Sequence, residues 1–270
     1  MSHYSKELNV AKKAAVKASE VIKSYRGNLN FDISFKGKND LVTDADLAAE
    51  EAILEVIREV FPKDQIMAEE SAEEQVFPEE RTWLIDPIDG TTNFAHGFPV
   101  FCVSIAFWEQ QQAKVGLVLE VNMDECFTAV KGGGAFLNEK RIEVSAIDDA
   151  KYSMIGTGFP YNDLSLVKNY LRFFEYLMHS TQGVRRPGSA AYDLCCLACG
   201  RYDGFYEYAL NPWDIAAGSL IVREAGGIVT DWQGGDNWLF GERIVAGNKH
   251  IHPFLLNAIQ EHFSKAEVLG

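Results

Sequence analysis

Strands and helices alternate along the whole chain, and this alternation predicts a layered α/β or α+β protein. Three observations carry the prediction. A long run of helical periodicity opens the chain, five apolar runs separated by turn residues follow between residues 65 and 131, and the remainder mixes short apolar runs with four helical patterns.

Taken in order, Leu8, Ala11, Ala15, Ala18 and Ile22 recur at helical spacing within residues 4–25, and Gly27 closes that amphipathic helix. A short strand over 31–35 leads into the polar segment 36–40. Asp44 or Asp46 then opens a second helix that runs to about Phe61, where Pro62 ends it. Strands are expected at 65–68, 82–85, 101–108, 113–121 and 125–131, neighbours in one sheet. Gly132, Gly133 and Gly134 form a tight turn, since no Lys-Ser/Thr pair follows them as in a phosphate loop. In the second half, strands are expected at 152–157, 183–186, 203–208, 228–230 and 244–246. Helices are expected at 164–178, 189–199, 213–225 and 250–263. The nearest thing to a joint is the segment 145–151.

The chain can bury a large core, as one large domain or two closely joined ones, because 47% of its 270 residues are hydrophobic. Its 39 acids against 25 bases give a formal net charge of -14, which argues against non-specific binding to nucleic acid or to an anionic membrane. An anionic substrate would therefore need cations to recruit it. The N-terminal residues carry no apolar signal region, and no window approaches the roughly 20 apolar residues of a membrane span, so a cytoplasmic location is expected. Cys102, Cys126, Cys195, Cys196 and Cys199 form neither a disulfide framework nor a complete zinc signature and read as core packing.

The chemistry concentrates in acids placed at the ends of apolar elements. Asp44 and Asp46 open a helix, Glu69 and Glu70 follow a strand, Asp86 and Asp89 follow another in WLIDPIDGTTNF, and Asp214 opens a further helix. Each alone has a plainer explanation, as a helix cap, a solvated loop or a turn. Together they form a set of hard oxygen donors without His or Cys partners, which suits Mg²⁺. Pro87 and Gly90 let Asp86, Asp89 and the Ile88 carbonyl face one point, while Gly90, Thr91, Thr92 and Asn93 could open a short helix whose N–H groups bind a phosphate oxygen. Metals on one side and amide donors on the other describe a site for a phosphate ester.

These residues resemble the inositol monophosphatase family, within a superfamily of lithium-sensitive, magnesium-dependent phosphatases. WLIDPIDGTTNF at 83–94, NPWDIAAGSLIVREAGG at 211–227, LVTDAD at 41–46 and AEES at 68–71 carry the likeness, which spans about 36–227. The resemblance implies an α+β fold, a layered αβαβα sandwich of the inositol monophosphatase/fructose-1,6-bisphosphatase type. It implies one such domain over 1–270, with an N-terminal α+β half to about 145 and a C-terminal α/β half from about 146, and a homodimer. It implies two or three Mg²⁺ per site, with Mn²⁺ as a substitute and Li⁺ as an inhibitor. By the same resemblance Glu69, Asp86 and the Ile88 carbonyl hold the first ion; Asp86, Asp89 and Asp214 hold the second; and Glu69 with Glu70 holds a weaker third. Thr91 and Asp46 would orient and deprotonate a metal-activated water for direct in-line attack on phosphorus. Gly90, Thr91 and Thr92 would lie at the phosphate, and Gly188, Ser189, Ala190, Glu207, Asp89 and Asp214 would face the rest of the substrate. Lys36 would hold a loop over the metals, a role that its neighbour Lys38 could also fill.

The leading expectation is hydrolysis of inositol 1-phosphate or a related sugar or polyol phosphate. Fructose 1,6-bisphosphate, NADP and 3'-phosphoadenosine 5'-phosphate are the alternative substrates, for which Arg185, Arg186 or Tyr161 would supply added contacts. For the two arginines, a dimer contact or a surface ion pair stays open, as does an outward-facing Glu207. A non-catalytic metal-binding regulator would have no use for the Asp46 and Thr91 pair. A small phosphate ester is the expected partner, with no nucleic acid and no membrane.

Overall fold

The amphipathic runs at the start become α1 (Ser5–Arg26) and α2 (Asp44–Val60), which pack on each other through small residues that include Ala11, Ala18, Ala45 and Ala49. Between them lies the hairpin of β1 (Ile33–Gly37) and β2 (Asp40–Thr43). The computed structural model describes residues 4–26, 33–37, 40–72, 80–159, 161 and 163–269, with the backbone alone for 33–37 and 40–43. Lys36 thus falls on β1 with its side chain outside the described residues, as is the whole of Lys38.

The central run builds a seven-stranded sheet in sequence order: β3 (Gln65–Ala68), β4 (Thr82–Asp89), β5 (Cys102–Glu109), β6 (Gln112–Glu120), β7 (Glu125–Val130), β8 (Gly134–Leu137) and β9 (Lys140–Ile142). Only β3 and β4 pair in parallel. The short helix α3 (Thr91–Ala95) follows β4. After β9 come β10 (Met154–Thr157), α4 (Val167–Ser180), β11 (Gly183–Arg185), α5 (Ala190–Ala198), β12 (Gly204–Tyr208), α6 (Pro212–Glu224), β13 (Ile228–Thr230), β14 (Arg243–Gly247), α7 (Ile251–His262) and α8 (Lys265–Leu269). Their strands form a second sheet in the order β11-β10-β12-β14-β13, parallel across β11, β10 and β12 and antiparallel elsewhere.

Alternation along the strands decides the layering. Trp83, Ile85, Val103, Ile105 and Phe107 face α1 and α2, whereas Leu84, Ala106 and Trp108 face the pair α5 and α6. That helix pair also receives Phe205, Ile244 and Ala246 from the second sheet. The other face of that sheet, with Tyr206, Tyr208 and Val245, is covered by α4 and α7 through Tyr170, Phe173, Ile251 and Leu255. Helices, sheet, helices, sheet and helices therefore stack as the expected αβαβα layers. The segment expected as a joint is tied down, with the Ser145 hydroxyl bonded to Asp203 and Asn248 donating to the Ser145 hydroxyl (3.0 Å) and the Ile147 carbonyl (2.9 Å). Among the described residues no helix is long and apolar enough to cross a membrane.

Two polar features fix the edges of this stack. Arg81 bonds Asp64 (2.9 Å), Glu7 (3.1 Å) and Glu109 (3.3 Å) and lies 4.5 Å over Phe107, so one cation joins α1 to the sheet. His252 is buried in α7 with Nε2 2.9 Å from the Thr230 hydroxyl, which itself bonds the Asp231 carbonyl. Burial lowers the His252 pKa from 6.5 to about 4. Below pH 6.5 the unfolded chain takes up a proton that the folded chain refuses, so this group costs stability as pH falls from 6.5 toward 4. We expect the loss in unfolding free energy between pH 7 and pH 4.5 to shrink by about 2 kcal/mol in His252→Gln, read by urea denaturation. An unchanged pH dependence in the variant would remove this account of the histidine.

Candidate active site

The first carboxylates are set by β4. Its register against β5 is regular up to Asp86 opposite Ser104, then shifts before Asp89 opposite Cys102. Pro87 sits inside that irregularity, where its missing N–H breaks no ladder bond. The strand end expected at 85 is thereby corrected: Asp86 and Asp89 are strand residues flanking a bulge, not members of a plain turn. Gly90 follows at φ +101, and a Cβ there would meet the Val100 carbonyl at 3.0 Å and the Gly188 carbonyl at 3.2 Å. Only glycine fits such a turn, and α3 begins at the next residue.

Thr91 then stands against α2. Its hydroxyl lies 3.1 Å from Asp46 Oδ1 and 3.1 Å from the Ile88 carbonyl, and one hydroxyl hydrogen serves one of these acceptors at a time. Asp46 is fully buried behind it. Glu69, just past β3, is fixed by its N–H to the Ile85 carbonyl (3.1 Å), and the Glu70 N–H donates to Glu50 (2.9 Å). Glu50 is buried on α2 one turn beyond Asp46, so a single helix braces both acidic segments. Sequence reading missed Glu50, although its four-residue spacing from Asp46 was a usable signal.

From the other side, α5 and α6 bring the remaining groups. Asp89 Oδ2 accepts from the Ser189 hydroxyl (2.7 Å) and the Ala191 N–H (2.7 Å), and Cys102 Sγ is 3.8 Å away. Asp214 accepts from the Asn211 N–H (2.8 Å) in the capping box of α6, so its capping role and its place at the site coexist. Glu207 is buried on β12 rather than facing water.

Most of these groups converge on a cavity of about 550 Å³. Its wall contains Glu69, Asp86, Ile88, Asp89, Gly90 and Thr91, and also Thr92, Gly188, Ser189, Ala190, Glu207 and Asp214. Two expected residues are not on the wall: Asp46 stands behind Thr91, and Glu70 turns its N–H to Glu50 beside Glu69. The call on Lys36 lies outside the described side chains. Asp193 and Phe159 line the cavity without a motif to announce them, because the contacts that place them come from packing, whereas Arg186 and Tyr161, expected as added contacts for a larger substrate, line it as well.

Crowding gives the site its electrostatics. Burial first, and then the charges of Asp214 and Glu70, hold the Glu69 pKa well above the usual carboxylate range. Burial and then Glu69 do the same for Asp86, while burial and then Asp89 raise Asp214. Burial also raises Asp89, against the hydrogen bonds from Ser189, Ala191 and Ala190. Among the described residues no three acidic, His or Cys side chains close around one point as a ready-made shell; Asp86 instead lies beside both Glu69 and Asp214, whose charges hold its carboxyl up. Carboxyls in such contact must share protons or neutralise one another through cations. Asp86 Oδ1 is buried without a hydrogen-bond partner, and the donors are all hard oxygens, so the set fits a divalent cation such as Mg²⁺.

The comparisons with known proteins agree with this geometry. Residues 3–264 match the inositol monophosphatase family. Nus factor SuhB of Escherichia coli (strain K12) is 42% identical over 260 residues, covering 96% of this chain and 97% of that protein. The extragenic suppressor protein suhB from Bartonella henselae superposes with a TM-score of 0.91 at 41% identity, over 96% of this chain and 100% of that one. Inositol monophosphatase from Anabaena (Nostoc) sp. PCC 7120 gives a TM-score of 0.85 at 38% identity, over 96% and 97%. One expectation is corrected. Nus factor is a name from transcription, and relatives bearing it overturn the reading that excluded nucleic acid. The net charge of -14 speaks only to non-specific binding by clustered Lys and Arg, and says nothing of specific sites or protein partners.

Proposed function

Because the chain belongs to the inositol monophosphatase family, we propose that it is a Mg²⁺-dependent phosphomonoesterase that hydrolyses inositol 1-phosphate or a related polyol phosphate. The observation that carries this reading is the recess of Glu69, Asp86, Asp89 and Asp214 on one cavity wall, with the Thr91 hydroxyl and Asp46 beside it. Glu69, Asp86 and the Ile88 carbonyl would hold one ion, Asp86, Asp89 and Asp214 a second, and Glu69 with Glu70 a third. Such ions supply positive charge for the phosphate oxygens and the departing alkoxide.

The chain's own groups supply the proton path. A water hydrogen-bonded to Thr91 Oγ1 passes its proton to that oxygen as the Thr91 proton moves to Asp46 Oδ1, 3.1 Å away. The hydroxide so formed attacks phosphorus in line as the ester P–O bond breaks on the opposite side, and the departing alkoxide takes its proton from solvent water. Asp46 is shielded by Thr91, so it takes the proton without competing for the phosphate. Ser189, Ala190 and Glu207 face the alcohol portion, where the buried Glu207 carboxyl can exchange hydrogen bonds with hydroxyls.

The reading is tested by phosphate release from inositol 1-phosphate, fructose 1,6-bisphosphate, NADP and 3'-phosphoadenosine 5'-phosphate, with Mg²⁺, Mn²⁺ and added Li⁺. We expect inositol 1-phosphate or another polyol phosphate to dominate, with Mn²⁺ replacing Mg²⁺ in part and Li⁺ inhibiting. No release from any of them would defeat it. The relatives' name favours a second reading, a part in transcription. A chain serving only as a scaffold has no need of the Thr91 and Asp46 pair, which is why the enzyme reading stands first.

A further inference from the structure

β10 ends at Thr157, and the next residue, Gly158, forms part of the cavity wall. A Cβ added there would stand 1.7 Å from Glu207 Oε1, 2.2 Å from its Cδ and 2.4 Å from Oε2, and these three atoms would be its nearest neighbours. The Glu207 carboxyl thus lies on the backbone of Gly158, in space that any side chain would fill. Gly158 has no need of glycine for its own backbone, because its φ is outside the left-handed region. Gly156, two residues earlier, differs: a Cβ there would meet the rings of Tyr202 (2.9 Å) and Phe205 (3.3 Å), so its bareness serves packing between layers. At 158 the missing side chain serves Glu207.

Neither backbone is free to yield. The Gly158 carbonyl accepts from the buried Tyr170 hydroxyl (2.8 Å), which lies 2.6 Å from the hydroxyl of buried Thr157. Glu207 belongs to β12, the middle strand of its sheet, where it follows the pairing of Tyr206 with Thr157 and stands opposite Ile244 of β14. The carboxyl end is different, since among the described residues no hydrogen bond holds it. A methyl group at 158 would therefore displace that carboxyl, the end of a flexible side chain, and leave the two strands where they are.

Resting on the phosphatase reading and on the place it gives Glu207, we propose that Gly158 is a specificity-determining residue: it seats the Glu207 carboxyl low on the cavity wall, where that carboxyl meets the hydroxyls of the alcohol portion and leaves the space above it for the ring. A carboxyl in this seat accepts from hydroxyls and repels a second anionic group, so it favours polyol monophosphates over esters that carry charge at both ends. Gly158 acts through Glu207 and is no part of the carboxylate recess.

The test is a double-mutant cycle read by steady-state hydrolysis of inositol 1-phosphate, with the full chain and Mg²⁺. Gly158→Ala should raise KM about tenfold or more, the size of a lost hydrogen bond to a charged group, with kcat within about threefold. In a Glu207→Ala background the same change should move KM less than about twofold, because no carboxyl is left to displace. With phenyl phosphate, a ring that offers no hydroxyl, Gly158→Ala should alter kcat/KM less than about threefold. A cost of Gly158→Ala that persists in full without Glu207 would mean that the methyl group itself obstructs the substrate, and overturns the proposal. So does an unchanged KM with Glu207 in place, an equal loss on phenyl phosphate, or a wild type that cleaves phenyl phosphate but not inositol 1-phosphate. If the wild type cleaves neither, the phosphatase reading has failed, and crystal structures of the parent and of Gly158→Ala decide the seating alone: a Glu207 carboxyl displaced in the variant keeps it, and an unmoved one removes it.

Discussion

Replacing Asp89 with asparagine should lower phosphate release by about a thousandfold, the upper end for loss of one preorganised electrostatic contact. Asp89 stands where three demands meet. It is one of the carboxylates that crowd the cavity, it accepts from Ser189 and Ala191 at the start of α5, and it flanks the β4 bulge. Asparagine keeps an acceptor oxygen for α5 but removes the charge, so the fold survives while the proposed second ion loses a ligand. Burial holds the Asp89 carboxyl above its usual range, and its charge raises Asp86 and Asp214. Melting of the variant in chelator should therefore match or exceed that of the parent. Turnover within tenfold of the parent would sink the role given to this residue.

Thr91→Ala should cut kcat by about a hundredfold and leave ion binding, followed by calorimetry, close to that of the parent. The Thr91 hydroxyl is the contact through which buried Asp46 reaches the cavity, so alanine disconnects the proton acceptor without removing a carboxylate. Thr91→Ser keeps the hydroxyl and should recover most of the rate. An alanine variant within threefold of the parent would show that the water is activated by another route.

How much of this was legible in the sequence follows from how local each signal is. Helical periods and strand alternation depend on near neighbours, and α1, α2 and the sheet strands stand within a few residues of expectation. The hairpin of β8 and β9 was missed because the glycine run before it hides a strand that starts at Gly134, and α8 because five residues carry no period. β4 was cut short because Pro87 usually ends a strand, and a bulge absorbs it here. At the site, acids at the ends of apolar runs were visible, but the contact of Asp46 with Thr91, 45 residues apart, came from family resemblance alone. Glu50 and Asp193 owe their places to packing between layers. The transcriptional link was invisible for another reason, since totals of charge do not describe a specific partner surface.

The account rests most directly on whether the carboxylate recess works through a divalent cation. The measurement that tests it is phosphate release from inositol 1-phosphate by the purified chain after stripping with chelator, and again after Mg²⁺ is restored. Release that vanishes on stripping and returns in proportion to added Mg²⁺ is the predicted result. Release that persists undiminished in chelator would contradict the account, because these acids would then have to be doing other chemistry.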